Sequence, residues 1–346
     1  MNRKNLIVGL ALALLLILSL VGTALARIPS ADPEASMLAD GLEGGSGSAI
    51  GPGGALFVTE SVAGRFSRID PDSGDVTTFA EGLPPSILDL GVVQLGGAVD
   101  LDFIGDTAYV LVTGVGSDAG GSDTVGIYRV DGFDSFTVIA DIGQWSIDNP
   151  SPSDVMLPTG VQYAMHTFRG GFLVTDGHHN RVLWVSTDGE ITEVIGFGNI
   201  VPTGLATHGQ DIYMSETGPI PHLPEDGKVV VFGPKSSAAK EVAFGAPMMV
   251  DVEFGRGRTL FALSQGDFPD DGFPAAPAEP DTGALLKVNQ DGSLDTIMAE
   301  LDRPTSLEII GNTAYVVTLD GEIWKIDNIA NPPYRSTGAP SVAAES

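Results

Sequence analysis

Short runs of β-branched and aromatic residues, about five long and bounded by Gly or Asp, recur along the whole chain. The clearest set occupies residues 56–60, 108–112, 172–176, 212–216, 260–264 and 314–318, and its first residues lie 52, 64, 40, 48 and 54 apart. This composition and punctuation predict strands. Each copy is followed by a second apolar run, at 66–70, 127–131, 182–186, 229–232, 285–289 and 323–327. Asp-Gly turns at Asp188-Gly189 and Asp291-Gly292 then lead to a further strand, a strong hairpin signal. One more short strand precedes each copy, as at 99–104, 250–254 and 306–310.

Four strands per unit and six ordered units predict an all-β chain: a six-bladed β-propeller with four-stranded blades. A two-sheet sandwich would not show an ordered period of this length, and no long amphipathic helix separates the strands. The segment 84–97 leaves room for an extra strand, and with it a seventh blade. The last unit supplies only three strands. Residues 36–42, Ser-Met-Leu-Ala-Asp-Gly-Leu, resemble the outer-strand pattern at 79–83, Phe-Ala-Glu-Gly-Leu. An N-terminal strand is therefore expected to close the ring on 323–327, removing an exposed edge.

The ends of the chain read differently. Arg3 and Lys4 precede an apolar run at 6–21, and Ala24-Leu25-Ala26 offers a small-x-small cleavage site. Residues 1–26 are thus expected to be a secretory signal peptide. A retained anchor is the competing reading, although the run is shorter than the ~20 residues that comfortably span a bilayer. Residues 27–328 form the expected propeller, and 329–346 a disordered, Pro-, Ser- and Ala-rich tail. The expected location is secreted, periplasmic or extracellular, with no membrane-spanning segment after cleavage.

Composition narrows the chemistry. The chain has no Cys, which excludes disulfides, thiolate metal sites and Cys nucleophiles. With 45 acidic against 17 basic residues its formal charge is −28, unsuited to nucleic acid. The expected partner is a small molecule or a protein, and the expected state a monomer.

Three of the six second strands end in carboxylates: Glu60, Asp176 and Glu216. In a propeller these ends gather on one face, so the three are candidate oxygen ligands for Ca²⁺ or Mg²⁺. The bland alternative is acidic strand ends facing water. Asp176-Gly177-His178-His179-Asn180 is the densest polar cluster, and His178 and His179 are candidate acid/base groups, against the reading of two turn histidines with structural hydrogen bonds. His166 is weighed between the channel and a satisfied core position. His208 and His222 receive no role. Long insertions at 114–125, 217–227 and 266–282 should rise from the same face, where loops commonly carry recognition. No Gly-x-Ser-x-Gly elbow, phosphate loop or His-Glu-x-x-His motif is present.

Residues 51–60, Gly-Pro-Gly-Gly-Ala-Leu-Phe-Val-Thr-Glu, together with Arg68-Ile69-Asp70-Pro71, Gly82-Leu83-Pro84 and Val201-Pro202-Thr203-Gly204-Leu205-Ala206, resemble the ScyD/ScyE propeller family. The resemblance runs from about Met37 to Asp327 and implies an exported six-bladed propeller without an assigned reaction. A Pro-Arg-Gly-like entry to the first blade is replaced by Gly44-Gly45-Ser46-Gly47-Ser48. More distantly the chain is similar to gluconolactonase-type and virginiamycin B lyase-type propellers, which use a divalent metal in the central channel. It has no Glu-x-His pair and no Glu-Gly-Pro blade entry of their kind. The expectation is accordingly a binding scaffold using its loop-rich face. The alternative is a divalent-metal-dependent lactonase- or lyase-like enzyme with a central-channel site.

Overall fold

The computed structural model describes residues 31–91, 93–152, 155–270 and 272–330; the expected signal peptide and residues 331–346 of the expected tail lie outside the described residues. From Pro33 onward the chain forms six four-stranded antiparallel sheets, the blades of a six-bladed β-propeller. Blades one to six begin with inner strands Gly45–Ile50, Gly97–Ile104, Gln162–Phe168, Pro202–His208, Met249–Phe254 and Pro304–Ile310. Their second strands are Leu56–Glu60, Thr107–Thr113, Gly171–Asp176, Asp211–Glu216, Leu260–Ser264 and Thr313–Thr318. Third and outer strands follow in order in five blades. In blade six the outer strand is Glu34–Ala39, antiparallel to Ile323–Asp327 with Met37 opposite Trp324. The expected N-terminal closure is thus present.

The segment 84–97 does not add a blade. It holds a separate hairpin of two-residue strands, Leu88–Asp89 and Gln94–Leu95. The expected tail boundary also moves. Ile329 and Ala330 are buried against the core between blades five and six, and Asn312 accepts from and caps their backbone N–H groups.

The repeats were visible in sequence because of where the second strands sit. Each is buried along most or all of its length, sandwiched between two neighbouring blades. Six hydrophobic clusters result, one at each blade interface. Alternation divides each strand between its two neighbours. In blade one, Phe57 packs toward blade two, whereas Leu56 and Val58 pack toward blade six.

Antiparallel pairing defines two faces. The start of each inner strand lies beside the end of its second strand, as in Gln162 opposite Asp176 and Pro304 opposite Thr318. The blade-to-blade connections and the insertions at 114–125, 217–227 and 266–282 therefore share one face, the loop face. The turns between inner and second strands form the other, the turn face.

Inner strands are joined between blades by carboxylates. Asp100 of blade two accepts from the Met165 N–H of blade three at 2.6 Å and from Leu101 N–H at 2.9 Å. Asp251 of blade five repeats this on the Leu307 N–H of blade six at 2.7 Å and on Val252 N–H at 2.8 Å. Each Asp also lies against a glycine of the preceding blade, Gly47 or Gly204. Blades one to three and four to six are therefore two copies of one clasp. A Cβ on Gly47 would fall 2.1 Å from Asp100 Oδ1 and 2.7 Å from its Cα; on Gly204 it would fall 2.3 Å and 2.5 Å from the same atoms of Asp251.

Gly47→Ala and Gly204→Ala should each destabilise by roughly 1–3 kcal/mol, the usual cost of overpacking. Gly198→Ala, with nothing within 4 Å, should change little. Denaturant unfolding checks this; equal behaviour of all three variants would refute the close packing.

Candidate functional site

The three carboxylates expected to gather on the loop face each end in a separate local network. Glu60 accepts from Arg65 Nη2 at 2.6 Å, Ser67 Oγ at 2.6 Å and the Glu43 N–H at 3.0 Å. Burial alone would raise its pKa, but these donors and the Arg65 charge hold it below the ordinary carboxylate value. Asp176 is fully buried, with His179 Nδ1 at 2.8 Å, Arg181 Nε at 3.0 Å and Gln162 Nε2 at 3.4 Å. Arg181 in turn donates to Asn149 O and Ser146 Oγ, and its guanidinium lies 4.8 Å from the Trp145 ring centre. Glu216 is buried and pushed up to about 7 by desolvation, with Lys228 acting against the shift and Glu241 adding to it. Lys228 itself pairs with Glu241 at 3.0 Å.

The histidines divide similarly. His179 is buried on Asp176, whereas His178 Nε2 accepts the Met156 N–H at 3.3 Å, and burial lowers its pKa. His222 donates from Nδ1 to Gly218 O at 2.8 Å and packs on Phe268, tying the insertions of blades four and five together. Among the described residues, no group of three or more His, Asp or Glu is arranged to hold a metal ion.

The densest set of titratable groups lies instead on the inner strands. A central cavity of about 470 Å³ is lined by Asp100, Asp102, Asp251, Glu253 and Glu308, with His166, Ser48 and Ser306. His166 is thus on the channel wall, where its Nε2 is 3.0 Å from Thr207 Oγ1. Asp102 accepts from the Thr167 N–H at 2.5 Å and Phe103 N–H at 2.6 Å, and Glu253 from the Phe254 N–H at 2.6 Å. No hydrogen-bond donor among the described residues reaches the Glu308 carboxylate.

One end of the cavity is barred. Tyr163 of blade three reaches across the axis to blade six, on the opposite side of the ring, and its hydroxyl donates to Thr305 O at 3.2 Å. Both residues stand near the loop-face ends of their strands. Toward the turn face, burial gives way to partial exposure at Thr207, His208, Glu253, Phe254 and 308–310. Water reaches the carboxylates from the turn face.

Enclosure weakens four of these acids. Desolvation pushes Asp251 up to about 7 against three hydrogen bonds, and Glu253 up to about 8, with the charges of Asp251 and Asp102 adding to the shift. Asp100 and Glu308 are raised well above the ordinary value, by burial first and by their acidic neighbours second. Burial lowers His166, opposed by the charge of Asp102.

The inner-strand acids were legible as Val99-Asp100-Leu101-Asp102 and Val250-Asp251-Val252-Glu253, where charge alternates with apolar residues at the strand period. Attention to second-strand ends passed over them.

No protein-family profile matches the chain, and no curated protein matches it. Solved structures share its fold. The PQQ-bound aldose sugar dehydrogenase of Streptomyces coelicolor is 15% identical, with a TM-score of 0.58 over 86% of this chain and 99% of its own. A gluconolactonase of Xanthomonas campestris is 12% identical, with a TM-score of 0.58 over 88% and 93%. An inactive virginiamycin B lyase of Staphylococcus aureus with quinupristin is 14% identical, with a TM-score of 0.52 over 86% and 99%. At these identities the likeness establishes the six-bladed propeller fold.

An acid whose folded pKa is raised binds more protons in the folded than in the unfolded chain between the two values. Stability therefore falls as pH rises through that window. The window here runs from the ordinary carboxylate values near 4 to the values of about 7 and about 8 at Asp251 and Glu253. The thermal midpoint should fall between about pH 5 and about pH 8, and the double variant Glu253→Gln, Glu308→Gln should flatten that slope. A midpoint that rises over this range would contradict the buried-acid description.

Proposed function

We propose that this chain is an exported binding scaffold that docks a protein partner on its loop face. The observation that carries this reading is the distribution of exposed apolar side chains. Of the large hydrophobics exposed among the described residues, Ile87, Leu90, Ile147, Met156, Ile220, Leu223 and Phe273 all lie in connections on the loop face. They are spread over four connections of that face among polar residues, and exposed apolar groups concentrated on one face favour an interaction surface there. The same connections hold Asp118, Asp148, Glu225, Asp226, Asp267 and Asp270, and Arg303 is their only Lys or Arg. The partner that fits presents basic side chains around an apolar centre. The motifs at 51–60 and 201–206 support placing the chain with ScyD/ScyE-like exported propellers, and the apolar leader at 6–21 supports export.

A divalent-metal-dependent lactonase- or lyase-like activity is the lesser reading, supported by fold likeness alone. Its expected ligands fit an ion poorly. Glu60 and Asp176 are saturated by Arg, His and hydroxyl or amide donors, and Glu216 sits in a third blade with its pKa raised toward the neutral form. The carboxylate-lined channel is also a poor host for a tricarboxylate such as PQQ. No reaction step is assigned.

A synthetic amphipathic peptide of Lys and Leu should bind the chain at about 20 mM salt and release by about 300 mM, as screened surface charge requires. Replacing Ile220 and Leu223 by Ser should weaken it about tenfold, as removal of an apolar anchor does. The same change at Val76 and Phe133, beside turns between third and outer strands, should not. Fluorescence anisotropy reads both, and equal loss in the two variants would refute the assigned face.

A further inference from the structure

We propose that the central channel is a second binding site, entered from the turn face, for a small aliphatic amine cation whose ammonium groups sit among Asp102, Glu253 and Glu308. The inference stands apart from whatever docks on the loop face.

Four observations support it. The cavity, about 470 Å³, falls within the ~300–1,000 Å³ usual for small-molecule sites. It is a blind well, because Tyr163 bars the loop-face end through its bond to Thr305 O. Its wall carries five carboxylates and no Lys or Arg, and Ile50, Val99, Leu205, Ile309 and Ile310 are interleaved with them in the lining. Finally, the partly exposed Glu308 takes no hydrogen bond from a donor among the described residues, while the acids around it already hold backbone N–H groups. Its oxygens are thus left to solvent, and a cation that donates a charge-assisted hydrogen bond is the stronger partner.

A bare metal ion answers these features less well. Ca²⁺ takes six to eight oxygens at about 2.3–2.6 Å, and no trio of acidic or His groups among the described residues is so arranged. An ammonium group reaches carboxylates singly at ordinary hydrogen-bond distance, and its chain fills the apolar part of the well.

The titratable groups facing the ligand are Asp100 and Asp102 from blade two, Tyr163 and His166 from blade three, Asp251 and Glu253 from blade five, and Glu308 from blade six. With burial raising Asp100, Asp251, Glu253 and Glu308 and lowering His166, the well holds protons near neutrality. Binding a cation must displace some of them, so affinity should rise from about pH 6 to about pH 8.

Isothermal titration calorimetry of the purified chain with cadaverine tests the site, with pentanediol, glutarate and CaCl₂ as separate arms. The expected result is saturable binding of cadaverine, tighter at the higher pH, with no heat from the neutral diol or the dianion. Glu253→Gln and Glu308→Gln should each weaken it about tenfold or more, as loss of a charge-assisted bond does, while neither variant lowers the thermal midpoint. Three results would each overturn the proposal: no binding of cadaverine, equal binding of pentanediol, or affinity unchanged in both variants. Ca²⁺ binding without cadaverine binding would assign the well to metal instead.

Discussion

The inner edge of each blade is a strand with no fifth partner, and the ring brings six such edges together. Their backbone N–H groups need acceptors, because an unpaired amide away from water costs about as much as a lost hydrogen bond. Carboxylates supply several of these acceptors, with Asp100, Asp102 and Asp251 each bridging to the next blade. The same bonds hold the inner strands in register between blades, where the hydrophobic clusters alone are not directional. The solution to an edge problem therefore creates the acidic channel. Glu253 bonds only to its own strand, and Glu308 has no donor, so the acids exceed what the clasp consumes.

That excess separates two kinds of carboxylate in the molecule. On the loop face Glu60 and Asp176 are paired with arginines of their own blades, and at Glu60 that pairing favours the ionised form. In the channel no Lys or Arg lines the wall. Desolvation is unopposed by a fixed positive charge there, and it shifts Asp100, Asp251, Glu253 and Glu308 upward. The distinction is between strand ends, where a third strand can bring an Arg alongside, and inner edges, which face only one another.

The ring, its six blades and its closing strand were legible because second strands are buried on both sides, which writes an unbroken apolar run between turns. The closing strand showed through its likeness to the outer strand at 79–83. The grouping of Glu60, Asp176 and Glu216 was less legible. Strand-end position says which face a residue lies on, but not whether an Arg five residues on has already taken its charge, as Arg65 and Arg181 do. The channel acids carried a signal in their alternation along the inner strands. Reading it required knowing that these strands, rather than the second ones, line the axis. The blocking role of Tyr163 carried no signal, because its partner lies 142 residues away and is a backbone carbonyl.

The two halves of the ring also explain why the channel is unequal around its axis. Strand register makes Asp100 equivalent to Asp251, Asp102 to Glu253, His166 to Glu308, and Tyr163 to Thr305. The clasp, which the fold needs twice, is the same in both halves. What differs is the pair of positions the fold does not need. Tyr163 bonds to the backbone of its own counterpart and closes one end. His166 has a hydroxyl partner in Thr207, while its counterpart Glu308 has none. Structural demand therefore accounts for the symmetric part of the channel. The asymmetric part is a barred end with a carboxylate beyond it that no side chain or backbone donor among the described residues reaches, and the clasp does not account for it.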